Sequence, residues 1–147
     1  MERALPWSET FNIGHPQLDA QHRRLVDLIN EIGTAIRAKK KAERVASLLK
    51  EFRLSAQEHF RQEDAILWEL KTGTYKPPQG QALPSHVLGA MAEAVFDGHM
   101  AEHASLLDRF DAIVAAPAET LCETLKAWFL DHVIKQDSHL KTIFQAM

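Results

Sequence analysis

Histidine is frequent in this chain and recurs at spacings that suit metal coordination. Eight of the 147 residues are histidine. His59 and Glu63 are four residues apart, as are His99 and His103, so on an α-helix each pair faces one side and can reach one ion. Imidazole nitrogen together with carboxylate oxygen suits iron, manganese or zinc. The spacing therefore predicts helices that bind a metal.

A further pair, His132 and Asp137, is less specific because its five-residue spacing recurs. Three other aspartates follow a histidine at the same distance: Asp27, Asp64 and Asp108. Residues five apart differ in direction by roughly 140° on a regular α-helix. The two side chains can reach the same metal centre in one of two ways. Either the centre lies between the directions of the two side chains, or a π-type turn widens the helix, and we predict that one of these arrangements is present. Spacing alone leaves the choice among the four aspartates open.

Four long segments of helical periodicity carry these residues. Their apolar positions recur at steps of three, four or seven, and the segments run from about Pro16 to Ala38, Ala42 to Leu70, Ser85 to Val114 and Ala118 to Phe144. We favour a break in the third at Asp97–Gly98, because Asp can cap a helix and Gly weakens its interior. No alternating run predicts a strand. Four helices in series predict an all-α, antiparallel, up-and-down four-helix bundle.

Every predicted helix carries a candidate ligand, since His22 lies within the periodic stretch of the first. In an antiparallel bundle, side chains from all four helices can converge on one point in the core. A single histidine is more often an ordinary surface residue than a ligand. Five imidazoles and two carboxylates buried without partners would instead each cost several kcal/mol, and a metal centre supplies those partners together.

The composition indicates a single globular domain over residues 1–147 and excludes several classes of protein. The chain is 46% hydrophobic and 25% charged, which is ordinary for a folded domain. A net charge of -3 argues against a nucleic-acid partner held by bulk charge. No apolar run has the length of a membrane span, so no membrane partner is expected. Cys122 is the only cysteine, so we expect a core thiol, no disulfide and a cytoplasmic location.

The ordered set of motifs resembles the hemerythrins and their bacterial relatives over nearly the whole chain. The motifs that carry the resemblance are Trp7, Phe11-Asn12-Ile13-Gly14, Leu18-Asp19-Ala20-Gln21-His22, His59-Phe60-Arg61-Gln62-Glu63, His99-Met100-Ala101-Glu102-His103 and His132-Val133-Ile134-Lys135-Gln136-Asp137. All seven ligand positions of the family pattern are filled. The resemblance selects Asp137 from the four alternatives that spacing leaves open.

The resemblance implies a non-haem diiron centre bridged by an oxo or hydroxo group. By this resemblance, one iron is held by His99, His103 and His132, and the other by His22 and His59. The two carboxylates, Glu63 and Asp137, bridge the irons. The iron with two histidines is one ligand short, and an open position is where dioxygen can bind. The implied function is reversible dioxygen binding by a sensor, carrier or store, with azide, NO and peroxide as alternative ligands.

Apolar residues beside the ligands are expected to form the wall of a dry dioxygen pocket. The resemblance makes these residues Leu25, Phe60, Trp128, Phe129 and Ile134. Such a wall slows the access of water and protons to a bound ligand. The remaining histidines have no partner in the pattern, and we predict surface or structural roles for His15, His86 and His139.

The connection between Glu63 and His99 is about twenty residues longer than is usual in the family. Residues 72–84 read as a loop, and Val87 to Phe96 can form a short amphipathic helix over the bundle. We expect the insertion at about 72–97 to be dispensable for metal binding and to govern what the site admits or reports. An inert elaboration is the alternative, because long surface insertions cost little loop-closure entropy.

Two other classes of function fit the same ligands. A diiron enzyme, either a peroxidase or an NO-handling protein, would use the same open iron. An iron store or a zinc-binding structural bundle would need no exchangeable position. Because bacterial hemerythrin domains also occur as sensory modules, a signalling effector domain or protein is a further expected partner.

Overall fold

The computed structural model describes residues 4–75, 86–115, 117–133 and 137–145, and these residues form helices and no strand. After a 3₁₀ turn at Glu9–Phe11, the helices are α1 (Pro16–Arg37), α2 (Ala42–Thr72), α3 (His86–Ile113), α4 (Ala118–Asp131) and α5 (Ser138–Gln145). Helix α1 packs on α2 and α4, and α3 packs on α2, α4 and α5. Since α4 and α5 follow one another in the fourth position, the predicted all-α four-helix bundle is confirmed.

The ends of the first two helices follow from local chemistry. Pro16 opens α1, where its missing N–H costs nothing, and the His15 side chain accepts the peptide N–H of Leu18 at the same end. His15 therefore has a structural role, as predicted. Gly73 ends α2 with a φ of 77°, a left-handed conformation that suits glycine. His86 and His139 have side chains that lie outside the described part of the structure.

The predicted break at Asp97–Gly98 is wrong, because α3 runs through it without interruption. Both residues are exposed, whereas Ala92 before them and His99 and His103 after them are buried on one stripe. A glycine costs a helix only about 1 kcal/mol, so packing against α2 outweighs it. Residues 87–96 are accordingly the first turns of α3 and not a separate short helix over the bundle.

The long connection is therefore partly helix. Helix α2 reaches Thr72 and α3 begins at His86, so much of the expected insertion at 72–97 lengthens α3. Residues 76–85 lie outside the described part of the chain. The expected effect of the insertion on what the site admits stays a prediction.

Two apolar cores hold the bundle together, one on each side of the ligand residues along the helices. The first core includes Leu25, Ile29, Phe52, Leu106, Cys122 and Leu125. The second includes Leu18, Leu67, Leu70, Ala92, Leu140 and Phe144. Cys122 is 2% exposed, which confirms it as a core residue. Within the described ranges, no helix combines the length and apolar content that a bilayer span requires.

The segment before α1 is attached to the bundle by specific hydrogen bonds. Leu5 donates its N–H to Asn30 Oδ1 at 2.7 Å and accepts from Asn30 Nδ2 at 2.9 Å. Ile13 donates its N–H to Asp19 Oδ1 at 2.7 Å. Phe11 between them is buried in the first core. These contacts hold the backbone of residue 11 against α1, beside the first candidate ligand.

Two glycines inside helices are expected to respond differently to the same substitution. A Cβ on Gly33 would lie 2.9 Å from Cys122 Sγ, where α1 meets α4, whereas a Cβ on Gly98 meets no described atom within 4 Å. Exchanging Gly for Ala in a helix interior gains about 0.5–1 kcal/mol when there is room. We expect Gly98→Ala to raise the free energy of unfolding by that amount and Gly33→Ala to lower it, as measured by urea denaturation.

The contact itself is tested by adding Cys122→Ala. If the clash with Sγ is the cause, the Gly33→Ala/Cys122→Ala double variant is more stable than the sum of the single changes predicts. Equal responses of Gly33 and Gly98 to alanine would contradict the close approach of α1 and α4.

Candidate metal centre

All seven candidate ligands lie at one level of the bundle, between the two cores. His22 comes from α1, His59 and Glu63 from α2, His99 and His103 from α3, and His132 and Asp137 from the junction of α4 and α5. Their exposed fractions range from 0% to 3%. By contrast, the alternative aspartates Asp27 and Asp108 are exposed, and Asp64 is half-buried. The fold thus separates Asp137 from the residues that share its spacing.

The Asp137 carboxylate is one meeting point of the imidazoles. Its Oδ2 lies 2.7 Å from His22 Nε2, 2.9 Å from His132 Nε2 and 3.7 Å from His59 Nε2. The N–H of Asp137 donates to the carbonyl of His132, five residues earlier, at 3.0 Å. This is the hydrogen bond of a π-type turn, so of the two alternatives that the spacing leaves open, the structure has the widened helix. The turn brings both side chains of the pair to the same centre.

Glu63 is the second meeting point. Its Oε1 lies 3.2 Å from His103 Nε2 and 3.4 Å from the Nε2 atoms of His59 and His132. Each of the two carboxylates therefore faces several imidazoles from different helices. A carboxylate in such a position can bridge two ions, with one oxygen directed to each.

The donor atoms fall into two overlapping groups in which all ligand atoms lie within 4.8 Å of one another. One group holds His22, His59, Glu63, His132 and Asp137, and the other holds His99, His103 and Asp137. Asp137 belongs to both, as a bridging ligand would. The geometry places His132 beside His59, with their Nε2 atoms 3.2 Å apart. The expected assignment of His132 to the ion of His99 and His103 stays a prediction.

Three imidazoles make a hydrogen bond through Nδ1, the ring nitrogen that faces away from the centre, and this bond orients the ring. His22 Nδ1–H donates to the Phe11 carbonyl at 2.7 Å, and His59 Nδ1–H donates to Gln21 Oε1 at 2.8 Å. A third bond joins His103 Nδ1 to an oxygen of Asp64 at 2.9 Å. A proton held on Nδ1 leaves the Nε2 lone pair free to bind a metal.

The outer partners are functional residues that the sequence did not reveal. Gln21 precedes His22 and Asp64 follows Glu63 in the chain. Their hydrogen-bond partners, His59 and His103, lie on other helices, so no spacing along one helix indicates them. The Phe11 carbonyl carries no side-chain signal at all. Asp64 was considered only as a ligand alternative, and it instead supports a ligand from outside.

The residues present fit a bound cation. Both oxygens of Glu63, Asp137 Oδ1 and His103 Nε2 are buried, and none of these atoms makes a well-aligned hydrogen bond among the described residues, although His103 Nε2 and Glu63 Oε1 are close. Leaving such groups unsatisfied costs on the order of 1–3 kcal/mol each, and more when they are charged. Nitrogen and carboxylate donors converging from four helices suit a divalent transition metal. The site is a metal-binding site.

The protonation behaviour of the buried groups is consistent with this. Burial raises the pKa of Glu63 well above its ordinary value, and the negative charge of Asp137 adds to the rise. Burial would also raise the pKa of Asp137, but nearby His132 and hydrogen bonds from imidazoles hold it well below its ordinary value. Burial lowers the pKa of His59 to about 3, aided by the charge of His22. A neutral imidazole is the form that binds metal.

Aromatic residues of the first core lie directly on the ligand rings. Phe60 stacks on His103 with the ring centroids 4.3 Å apart and meets the His132 ring at 4.8 Å. Phe129 meets the His22 ring edge-on at 6.0 Å. Trp128 packs on Phe60 at 5.9 Å. Their expected role as walls of a dioxygen pocket stays a prediction.

Leu25 and Ile134 are the other two residues expected to form the wall of the pocket. Leu25 is fully buried in the first core. Ile134 lies outside the described residues. Neither observation tests a role in ligand binding.

Comparison with known protein families places this arrangement in context. The family model described as the hemerythrin HHE cation binding domain matches residues 14–144. The match spans all seven candidate ligands. No curated protein matches the chain.

Metal loading is expected to release protons. Burial alone would lower the pKa of His22, but its hydrogen bond to Asp137 and that residue's charge raise it above the ordinary value. The pKa of Glu63 is raised as well, so both groups keep their protons to higher pH than the free side chains do, and a metal must displace those protons. The apparent affinity for a divalent ion should therefore rise with pH and fall in acid.

The check is calorimetric titration of the metal-free protein with Zn²⁺ at about pH 6.5, in two buffers that differ in ionisation enthalpy. The expected result is a buffer-dependent heat that corresponds to net proton release. Identical heats in both buffers would contradict the protonation assigned to His22 and Glu63.

Proposed function

The chain belongs to the hemerythrin HHE cation-binding domain family, and from this we propose that it holds two iron ions and binds dioxygen reversibly at one of them. The proposed ligands of one iron are His99, His103 and His132. His22 and His59 would hold the other iron. The bridging ligands would be Glu63 and Asp137.

One observation carries the proposal: five buried imidazoles and two buried carboxylates converge between two apolar cores. This donor set suits a ferrous pair, because only two of its seven members are anionic. The diiron oxygenase sites built from Glu-x-x-His repeats are richer in carboxylate. The histidine-rich set favours reversible binding over oxidative attack on a substrate.

The chain's own residues would orient the ions and keep water away. The proposed unequal sharing of histidines would leave one iron a ligand short, and a bound ferrous pair would supply the two electrons that dioxygen takes up. Phe60 and Phe129 cover the rings of His103, His132 and His22 on the side of the first core. A water-poor surface slows the proton transfer that would release a bound ligand in reduced form.

A sensor, a carrier and a store would all use reversible dioxygen binding. They would differ in what responds to the bound dioxygen. A signalling effector, as a separate protein or a further domain, is the partner that the sensor role requires. Azide, NO and peroxide are the small ligands that would compete for the same position. The second function is an enzyme, a peroxidase or an NO-handling protein, acting at the same position.

Replacing Glu63 by alanine is expected to lower the iron content. The wild-type protein should contain about two irons per chain, and the variant should lose a bridge and at least half of the metal. Glu51→Ala is the matched control, since Glu51 lies on the same helix but is exposed and pairs with Arg24. Elemental analysis and the visible spectrum provide the measurement. A Glu63→Ala protein that keeps two irons and an unchanged spectrum would exclude Glu63 as a bridge.

Dioxygen binding is tested by optical titration of the anaerobically reduced, iron-loaded protein. We expect charge-transfer bands in the near-ultraviolet and visible to appear with dioxygen and to disappear under vacuum, over repeated cycles. Bands that do not reverse, together with turnover of peroxide in the presence of a reductant, would support the enzyme instead. A colourless protein isolated with zinc would support a structural bundle.

A further inference from the structure

The outer partners of the ligand imidazoles differ in charge. The Nδ1–H groups of His22 and His59 donate to a peptide carbonyl and to the amide of Gln21, which are both neutral. His103 Nδ1 instead bonds the carboxylate of Asp64 at 2.9 Å. Of these three outer hydrogen bonds, only the one to His103 involves an anion.

Asp64 forms its ion pair with His103, and its charge also acts on the neighbouring Glu63. Among the described residues, no lysine or arginine lies within ion-pair distance of Asp64, and His103 is its one such partner. Its side chain is 22% exposed and that of His103 is 4% exposed, so solvent screens their interaction only in part. A charge-assisted N–H···O⁻ bond is stronger than a neutral one and makes the opposite ring nitrogen a better electron donor.

The same bond sets the direction of the ring. Phe60 lies parallel to the His103 ring, with an angle of 7° between their planes, and so fixes the plane of the imidazole. Within that plane, the bond from Nδ1 to Asp64 determines where Nε2 points. His103 Nε2 is thereby directed towards Glu63 Oε1, 3.2 Å away.

Gln21 is the neutral counterpart on the other side of the centre. Its Nε2 donates to Gln62 Oε1 at 2.7 Å, so its amide oxygen is left to accept from His59. The rings of His103 and His59 therefore have outer supports that are alike in geometry and unlike in charge. Two divalent ions bring four positive charges, and Asp64 adds a third carboxylate to the two of Glu63 and Asp137.

We propose that Asp64 is a positioning residue that makes the metal position containing His103 the tighter of the two, so that the ions load in sequence. The inference rests on the two-metal site of the proposed function but not on dioxygen binding. The larger number of histidines assigned to that position acts in the same direction. The charge of Asp64 is the contribution that a substitution can isolate.

The experiment is an anaerobic titration of the metal-free protein with Co²⁺, followed by visible absorption and by calorimetry. The wild type is expected to bind two ions in two resolved steps. Asp64→Asn keeps an oxygen that can accept the His103 N–H but removes the charge, so the first step should weaken about 10- to 100-fold. The second step should change little.

Three further variants complete the design. Asp64→Ala removes both the charge and the oxygen that accepts the His103 N–H. Gln21→Glu places a carboxylate beside His59 and should strengthen the second step, which brings the two affinities closer together. Asp111→Asn is the matched control for lost charge, because Asp111 is exposed on α3 and pairs with Arg53. It should leave both steps unchanged. Circular dichroism of each metal-free protein verifies that the helices are intact.

The outcomes separate this inference from the proposed function. A wild-type protein that does not bind two ions would overturn the two-metal site itself. Two ions bound in a single cooperative step, or with unchanged affinities in Asp64→Asn, would overturn the role of Asp64. Weakening in Asp64→Ala but not in Asp64→Asn would overturn the role of the charge, because position alone would then suffice.

Discussion

The structure depends on the burial of seven polar candidate ligands at one level of the bundle. Imidazoles and carboxylates removed from water need partners, and a bound cation would satisfy the atoms that have none among the described residues. That requirement sets the register of every helix, since each must present its donor at the same height. A shift of one helix by a single turn, about 5.4 Å, would leave its ligand facing an apolar core.

The two cores explain how the bundle tolerates a long connection between α2 and α3. Both helices extend beyond the ligands on the side of the second core, where Leu70, Tyr75 and Ala92 are buried. The first core, which supplies the aromatic rings on the ligands, is unaffected by this extension. The described residues of this connection therefore belong to the second core, and the candidate ligands lie between them and the first core.

Outside the candidate ligands, the surrounding protein fixes which nitrogen faces inwards in three of the five imidazoles. The segment before α1 contributes a peptide carbonyl, α1 contributes Gln21, and α2 contributes Asp64. Each support comes from a different element than the ligand it holds. The orientation of the site is thus a property of the packed bundle and not of any one helix.

The sequence by itself determined the four-helix architecture and which helix carries each candidate ligand, because apolar periodicity and four-residue spacings are local properties of an α-helix. It left open the choice between a central direction and a π-type turn for His132 and Asp137, and it wrongly placed a helix break at Asp97–Gly98. Only the tertiary structure decided these points. Packing of α3 on α2 outweighs the weak preference of one glycine, and a pairing such as Asp64 with His103 joins residues far apart in the chain. No periodicity along one helix can encode such contacts, because they depend on the rotation and height of its neighbour.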